Sequence, residues 1–337
     1  MSCLSVIVPV HNEAAGIARF HERLQQVLRS LDMDSEVLYV DDGSDDGTAE
    51  QVAALSDDDA QVGYLRLSRN FGKEAAMSAG LDHVAGDAVV IIDGDLQDPP
   101  ELIVEFVAQW RSGYDVVYGK RSSRDGESWL KRQSASWFYR VLDHLSDVPI
   151  PRDVGDYRLL SRRAVEALKR LREQHRYMKG LFAWIGYPQK AVPYARAPRA
   201  DGRSKWNYGR LWNFALEGIT SFSAAPLKLA TWLGLITSVG AFAYGLYFLL
   251  RTLLLGNPVP GYPSLIVIIL FLGGVQLVCL GIIGEYLART YNESKGRALY
   301  FVQDYHPGRL RSVPDSSPGD AAKQEVDQQG ASDDSLA

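Results

Sequence analysis

The sequence predicts an α/β fold with a mostly parallel sheet, followed by a two-helix transmembrane hairpin. Short β-branched runs such as Leu4–Val10 recur along the first third of the chain, and stretches with helical spacing separate them. Farther on, between Ala224 and Ile283, the only charged side chains are Lys228 and Arg251. A stretch of that kind has room for two segments of the ~20 apolar residues that cross a bilayer.

Strands and helices alternate in the first part of the chain. The predicted strands are Leu4–Val10, Glu36–Val40, Val62–Leu67, Ala88–Ile92 and Val116–Tyr118, and the predicted helices are Ala14–Leu31, Thr48–Leu55, Lys73–Val84 and Glu101–Trp110. This alternation is typical of a parallel sheet covered by helices. Ligands of such sheets bind at the carboxyl ends of the strands, which is where Asp41, Asp42 and Asp93 fall.

The middle of the chain is predicted to be helical and to meet a membrane surface. Trp129–Leu145 and Trp206–Phe222 mix aromatic, apolar and charged residues as amphipathic interface helices do, with packing onto the sheet as an equal alternative. The interval Tyr157–Asn213 holds 14 lysines and arginines against three acids. Such a basic block indicates an anionic membrane face or a phosphate ligand, although a solvated charged surface remains open.

Two apolar spans, Leu227–Leu250 and Leu265–Ile283, are predicted to form the transmembrane hairpin. A turn rich in glycine and proline, residues 256–263, joins them, so both ends of the hairpin lie on one side. Basic residues after the second span, among them Arg289 and Arg297, place that side in the cytoplasm by the positive-inside rule. The predicted location is the inner (cytoplasmic) membrane, multi-pass, with the first domain and the C-terminus cytoplasmic.

Asp93 and Asp95 lie one residue apart directly after the predicted strand Ala88–Ile92. Mg²⁺ is usually held by one or two carboxylates together with substrate phosphates, and two acids at a strand end can reach one such cation. A D-x-D pair alone is common in surface loops. Its position between an apolar strand and the run Gln97–Glu101 makes the metal interpretation much stronger here.

Taken in order, the motifs resemble the family-2 glycosyltransferases of the A-type (GT-A) fold. Within them the chain is similar to the polyprenyl-phosphate branch, more closely to bactoprenol-phosphate glucosyltransferases than to dolichol-phosphate mannose synthases. The motifs are VIVPVHNE (Val6–Glu13), DDGSDDGT (Asp41–Thr48), LSRNFGKEAAMSAG (Leu67–Gly80), DGDLQDPPE (Asp93–Glu101), GDYRLLSR (Gly155–Arg162), RYMKGLFAWIGY (Arg176–Tyr187), RADGRSKWNYGRLWNFALEGITSFS (Arg199–Ser223) and GEYLARTYNESKGRALYFV (Gly284–Val302). The resemblance spans residues 4–305 and implies a Rossmann-like GT-A catalytic domain.

The resemblance implies a site for a nucleotide-sugar donor and a divalent metal. The residues expected to bind the nucleotide-sugar are Pro9, Asn12, Glu13, Asp41, Asp42, Lys73 and Asp93, and those expected to hold Mg²⁺ or Mn²⁺ are Asp93, Asp95 and Gln97. Two alternatives remain open: Asp42 forms a plain turn and helix cap, and Lys73 is a solvated lysine at a helix start.

The resemblance also implies an acceptor site for a lipid phosphate. Asp156 matches a residue proposed as catalytic base, and Asp95 is the other expected catalytic residue. A phosphate monoester is already largely dianionic at neutral pH because its second pKa is ~6. Asp156 therefore has the alternative role of orienting Arg158 or the acceptor. The residues expected to bind the acceptor phosphate are Arg121, Arg132, Arg199, Arg203 and Lys205, with membrane-surface electrostatics as the alternative for Arg203.

The implied reaction is the inverting transfer of a hexose, glucose from UDP-glucose, to undecaprenyl or another polyprenyl phosphate at the cytoplasmic membrane face. GDP-mannose, UDP-galactose, UDP-N-acetylglucosamine and UDP-aminoarabinose remain open as donors. A processive polysaccharide synthase is less favoured because the sequence has no Q-x-x-R-W segment. A dinucleotide-dependent oxidoreductase would carry G-x-G-x-x-G where HNE stands. A non-catalytic scaffold would not need the acidic pair Asp93 and Asp95. No nucleic-acid partner is expected. By analogy with the family, the protein is expected to form a homotetramer.

These expectations divide the chain into five parts. They are a catalytic domain (1–165), acceptor-phosphate and membrane-interface helices (166–223), two transmembrane helices (224–284), a cytoplasmic segment (285–312) and a disordered tail (313–337). The tail holds six acids and one lysine, which accounts for the net charge of −5, and it has too few apolar residues to fold.

Overall fold

The computed structural model describes residues 2–121, 154–174, 176–195, 225–255 and 261–308. Within them, the strands are β1 Cys3–Val10, β2 Asp34–Asp41, β3 Val62–Leu67, β4 Ala88–Ile91, β5 Val116–Arg121, β6 Val154–Ser161, β7 Gln189–Tyr194 and β8 Val302–His306. The helices are α1 Ile17–Ser30, α2 Thr48–Asp58, α3 Lys73–His83, α4 Leu102–Arg111, α5 Arg162–Lys169, α6 Met178–Trp184, α7 Ala225–Leu255 and α8 Tyr262–Ser294. The predicted helices Trp129–Leu145 and Trp206–Phe222 and the tail after residue 312 lie outside the described residues.

All eight strands belong to one sheet, in the order β7-β5-β6-β4-β1-β2-β3-β8. The central strands β4, β1, β2 and β3 are parallel, as predicted. Residues Leu4–Val10 of β1 are all buried, because helices cover both faces of the sheet and leave neither face to water. This burial on both sides explains why the strand reads as a continuous apolar run.

Three pairings are antiparallel and were not predicted. β6 lies between β4 and β5 and is antiparallel to both, and β8 adds an antiparallel strand to the outer edge of β3. With β7 and β8, the sheet takes strands from outside residues 1–165. We refer to this sheet and helices α1–α6 as the sheet domain; the domain boundaries given above stay predictions.

Helices α7 and α8 form the predicted hairpin. Two segments, Pro226–Phe248 and Val267–Ser294, are long and apolar enough to cross a membrane, with mean hydropathies of 1.5 and 2.6. The helices contact each other, and the Cys279 sulfur lies 3.6 Å from the carbonyl oxygen of Ala230. At 1.5 Å per residue α8 is roughly 50 Å long, which exceeds the ~30 Å hydrocarbon core of a bilayer. Its C-terminal turns therefore extend beyond that core.

The end of α8 and the segment after it are attached to the sheet domain. Glu293 accepts a 2.7 Å hydrogen bond from the backbone N–H of Gln174. The Tyr300 hydroxyl donates to Asp82 at 2.7 Å, and β8 then pairs with β3. The hairpin is thus connected to the sheet through side-chain contacts and a strand pairing as well as through the chain.

Candidate active site

The candidate site lies where the strand order reverses. From β1 the chain builds β2 and β3 on one side, then returns to place β4 on the other side of β1. Loops leaving the carboxyl ends of β1 and β4 therefore diverge, which opens a crevice of the kind in which α/β sheets bind ligands. Asn12 and Glu13 follow β1, and Asp93 and Asp95 follow β4.

The loops after β1 and β2 are joined to each other by hydrogen bonds. The Asn12 side chain donates to Asp45 at 2.8 Å and accepts from the Asp45 backbone at 3.0 Å. The Glu13 backbone N–H donates to the Thr48 hydroxyl at 2.9 Å. Asn12 has a positive φ of 57°, a conformation that asparagine tolerates better than most residues. Together the loops form one wall of the crevice, with Pro9 buried beneath them in β1.

Asp41 lies at the end of β2 and is fully buried. One carboxylate oxygen accepts from the Ser44 backbone at 3.1 Å, and the other lies 3.4 Å from the Arg66 Nε atom. Neither that second oxygen nor Arg66 Nε has a hydrogen-bond partner among the described residues. A buried carboxylate oxygen without a hydrogen bond retains the capacity to accept one from a ligand.

Asp42 fixes the start of α3. Its two carboxylate oxygens accept hydrogen bonds from the backbone N–H groups of Phe71 (2.7 Å) and Gly72 (2.9 Å). Burial raises the pKa of Asp42, and these two donors oppose the increase. Because Lys73 directly follows Gly72, Asp42 sets the position from which the lysine side chain enters the site.

Close approach of the backbone also positions this wall. Gly43 has φ +67°, and a Cβ atom there would lie 2.6 Å from the backbone carbon of Arg69. Only glycine fits such a contact without displacement of the 69–72 segment. The loop after β2 is therefore held directly against the chain that leads into α3.

The centre of the site is an ion-paired group of three side chains. The Lys73 ammonium lies 2.6 Å from an Asp93 oxygen and 2.8 Å from an Asp156 oxygen. The β4–β6 register explains this meeting, because Ile91 pairs with Arg158. Continuing that antiparallel ladder by two residues places Asp156 beside Asp93. The sequence predicted each residue for the site but not the strand that brings Asp156 to the others.

The pKa values of these three side chains shift for different reasons and not all in the same direction. Burial alone would lower the pKa of Lys73, but Asp93 and Asp156 outweigh it, and the pKa is raised. Burial raises the pKa of Asp93 despite the nearby lysine, and the charge of Asp156 adds to the increase. For Asp156, Lys73 and Lys179 overcome the effect of burial and lower the pKa to about 2. Asp156 is therefore firmly ionised at neutral pH.

The turn after β4 carries the residues predicted to hold a metal ion. Asp95 accepts a 3.0 Å hydrogen bond from the Gln97 backbone N–H, and Gln97 is buried. Leu96 between them has φ 59°, a rare conformation for a large side chain. Among the described residues no three His, Cys, Asp or Glu side chains cluster as a complete metal cage. Mg²⁺ is commonly held by one or two carboxylates together with substrate phosphates, so the chemistry of Asp93 and Asp95 suits such an ion.

Arg121 is the one predicted acceptor-phosphate residue within the described chain; Arg132, Arg199, Arg203 and Lys205 lie outside it. It ends β5, beside the start of β6. Burial opposes its charge, but a hydrogen bond to Tyr194 and the charges of Asp98 and Asp93 raise the pKa of Arg121. Its Nε atom is buried without a hydrogen-bond partner among the described residues.

Two basic residues near the site were not predicted as site residues. Arg158 on β6 is buried, donates to the Gly155 carbonyl at 2.8 Å and lies 3.6 Å from the centre of the Phe182 ring. Lys179 on α6 shares a small cavity with Arg158 and Phe182. A signal for Lys179 existed in the RYMKG motif, but no local pattern showed that α6 would face Asp156.

A switch-point crevice with an acidic turn after β4 is the arrangement that the GT-A resemblance implied. The sequence model of glycosyl transferase family 2 matches residues 5–169, and that of the GtrB C-terminal hairpin matches residues 225–290. The chain belongs to glycosyl transferase family 2. The predicted family, GT-A fold and enzyme class are confirmed.

Curated relatives match nearly the whole described chain. An uncharacterized glycosyltransferase of Synechocystis is 52% identical over 301 residues, covering 89% of this chain and 95% of the relative. The SfII prophage-derived bactoprenol glucosyl transferase of Shigella flexneri is 46% identical over 305 residues, covering 90% and 99%. Among solved structures, a Mycobacterium tuberculosis glucosyl-3-phosphoglycerate synthase complex with Mn²⁺ and UDP is 20% identical, with a TM-score of 0.44 over 65% and 78% of the two chains.

Proposed function

We propose that the protein transfers a hexose, glucose from UDP-glucose, to undecaprenyl phosphate or another polyprenyl phosphate at the cytoplasmic face of the inner membrane. The observation that carries the proposal is the combination of site and hairpin in one chain. That combination aligns along 99% of a bactoprenol glucosyl transferase. A soluble acceptor would not require the two long apolar helices, whereas a polyprenyl phosphate is confined to the bilayer.

In the proposed reaction, a lipid phosphate oxygen attacks the anomeric carbon of the sugar as the nucleoside diphosphate departs from the opposite face. One displacement inverts the anomeric configuration and leaves no covalent sugar–enzyme species. The main tasks of the protein are then to align the reactants and to stabilise the charge of the leaving group. The Lys73 ammonium is a hydrogen-bond donor in the crevice, but Asp93 and Asp156 leave the three side chains with a net charge of −1. A divalent ion would therefore have to supply the positive charge that the leaving group needs.

Asp93 and Asp95 would hold Mg²⁺ or Mn²⁺, with Gln97 contributing. The ion would supply positive charge against the departing diphosphate. Asn12, Glu13 and Asp41 would bind the nucleoside, and the Asp41 oxygen without a hydrogen bond favours this role. Asp42 would act through the start of α3, since backbone groups occupy both its oxygens.

For Asp156 the geometry favours a positioning role over that of a general base. An efficient base at neutral pH has a pKa near 7, whereas the pKa of Asp156 is lowered to about 2. The acceptor phosphate also needs little deprotonation. We therefore assign to Asp156 the task of holding Lys73 in the crevice. This positioning role differs from the alternative inferred from sequence, in which Asp156 orients Arg158 or the acceptor.

The test is transfer of label from radioactive UDP-glucose to undecaprenyl phosphate by membranes that contain the full-length protein. With Mg²⁺ or Mn²⁺ we expect label in a chloroform-soluble product, and none after chelation of the metal. Asp95→Asn should lower the rate at least about 100-fold, comparable with the loss of one electrostatic group at a transition state. Asp58→Asn, the same change on the exposed surface of α2, is the matched control. Full activity of Asp95→Asn would overturn the metal assignment.

Donor identity and product type are decided in the same assay. The lipid product could instead be labelled by GDP-mannose, UDP-galactose, UDP-N-acetylglucosamine or UDP-aminoarabinose and not by UDP-glucose. That result would change the assigned donor sugar but retain the lipid acceptor. Label in a long polymer would instead support a processive synthase. The homotetramer stays a prediction, which the mass of the detergent-solubilised protein would test.

A further inference from the structure

Lys179 has no role in the reaction described so far, although it lies at the edge of the site. It occupies the first turn of α6 and is partly buried. The backbone N–H of Met178 donates to the Glu74 side chain at 3.2 Å. This bond joins the start of α6 to the start of α3, so Lys179 and Lys73 extend from neighbouring positions of two linked helices.

The surroundings of Lys179 are strongly positive. The largest electrostatic effects on it come from Asp156, which favours its charge, and from Arg158, Arg121 and Lys73, which oppose it. Asp156 already binds the Lys73 ammonium at 2.8 Å. Within the described part of the chain, the Lys179 ammonium makes neither a hydrogen bond nor an ion pair. Burial and the three cations accordingly lower the pKa of Lys179.

A partly buried cation among other cations is costly unless an anion joins it. The missing charge is negative. Lys179 and Arg158 line a small cavity together with Tyr118 and Val154, which places Lys179 against strands β5 and β6. A phosphate monoester brings close to two negative charges at neutral pH. Its oxygens are acceptors for ammonium and guanidinium donors.

The sheet order decides which phosphate this is. The nucleotide wall, with Asn12 and Asp41, lies on the β1–β2 side of Asp93, whereas β6 and β5 lie on its other side. Lys179 lines one cavity with Tyr118 of β5 and Arg158 of β6, so it belongs to the side away from the nucleotide. That is the side from which an attacking acceptor would meet a sugar whose diphosphate is bound beside β1 and β4.

We propose that Lys179 is a binding residue for the phosphate of the lipid acceptor, which it holds together with Arg121 on the β5–β6 side of Asp93. The inference rests on the proposed function for the identity of the acceptor. It adds to the reaction a residue from α6, an element outside the acidic motifs from which the function was inferred.

The first test measures initial rates of the full-length protein against undecaprenyl phosphate and against UDP-glucose. Lys179→Gln should raise the KM for undecaprenyl phosphate about 10- to 100-fold, the usual effect of losing a hydrogen bond to a charged group, and change the KM for UDP-glucose less than about twofold. Lys179→Arg, which keeps the charge, should recover most of the loss. Lys190→Gln removes an exposed lysine of β7 and should behave as the wild type. An unchanged KM for the lipid, or a higher KM for the donor instead, would overturn the proposal.

A second test does not depend on sugar transfer. Binding of farnesyl phosphate and of farnesol to the detergent-solubilised protein is compared by thermophoresis. The wild type and Lys190→Gln should bind farnesyl phosphate more tightly than Lys179→Gln does, whereas all three should bind farnesol equally weakly. If this pattern appears without any transfer, the phosphate site stands and the proposed function fails. If transfer occurs but Lys179→Gln binds farnesyl phosphate like the wild type, the proposed function stands and the Lys179 assignment fails.

Discussion

The sheet domain and the hairpin treat apolar side chains in opposite ways. In the sheet domain the large apolar residues are enclosed, and Ile7, Phe20 and Phe106 have no exposed surface. In the hairpin they point outward, with Phe242 75% and Leu254 80% exposed. A contiguous apolar surface of this kind is unstable in water and stable in lipid. The sheet domain therefore supplies its own apolar environment, and the hairpin obtains one from the membrane.

The largest effect is expected from introducing one charged side chain into each region. Leu277 in α8 is 71% exposed and Val104 in α4 is 47% exposed, so neither is a core residue. Leu277→Asp should disfavour membrane insertion by about 2.5–3.5 kcal/mol, the cost of an acid near the centre of a spanning helix. Val104→Asp should change stability by less than about 0.5 kcal/mol, because its side chain faces water. Alkaline extraction of membranes measures the inserted fraction, and equal behaviour of the two variants would contradict the lipid assignment.

Glycine-to-alanine substitutions test the same contrast, with expected losses of stability of intermediate size. Gly43→Ala should destabilise the protein by about 2–3 kcal/mol, since it combines a left-handed backbone with a 2.6 Å clash against Arg69. Gly47→Ala has a similar φ of +92° but meets no atom within 4 Å, so it should cost about 1 kcal/mol. Gly281 in the hairpin also meets nothing within 4 Å, and Gly281→Ala should not destabilise. Thermal unfolding in detergent measures all three. A loss at Gly281 as large as that at Gly43 would indicate an interface on α8.

Low pH should also distinguish the sheet domain from the hairpin, because acid protonates buried carboxylates of the sheet domain. Burial would raise the pKa of Asp115, but hydrogen bonds from Arg163 and Ser161 outweigh it and lower the pKa. A carboxylate with a lowered folded-state pKa contributes stability above its unfolded pKa of ~3.9 and loses that contribution as the pH falls through the folded value. Asp115→Asn should therefore cost about 1–3 kcal/mol at pH 7 and progressively less below about pH 4.

Exposed ion pairs and the hairpin provide the controls. Glu101 pairs with Arg23 at 2.7 Å, but both side chains are exposed, so Glu101→Gln should cost less than about 1 kcal/mol. The stretch from Ala224 to Ile283 contains no carboxylate. Circular dichroism should accordingly show loss of sheet structure in acid while the hairpin helices persist. Simultaneous loss of both would mean that the hairpin depends on the sheet domain.

Sequence patterns predicted the parts of the fold whose environment is uniform. Strands β1 and β4 are buried on both faces and appear as mainly apolar runs, and the hairpin helices stand out by their length and apolar composition. Charged residues such as Glu36 and Arg66 interrupt β2 and β3. β8 could not be found this way, since all five of its residues are exposed and carry no apolar alternation. β6 contains charged residues near its start, which conceal a strand that is central to the sheet.

Candidate site residues could be proposed from sequence where one motif contains the residues expected to act together. Asp93, Asp95 and Gln97 follow one strand, and Asp41 and Asp42 end another. Asp156 was identified as a candidate, but its position beside Lys73 depends on the β4–β6 register, which joins residues far apart in sequence. Lys179 was not proposed from sequence because its surroundings come from α3, β5 and β6, and no single stretch of sequence contains them.

The edge strand β8 has a consequence for how the protein is made. Its partner β3 emerges early from the ribosome, yet β8 follows both membrane helices in the chain. Until the second helix has been synthesised, the edge of β3 stays open, and open edges invite association with other chains. The sheet can therefore be completed at this edge only after both apolar helices have been synthesised.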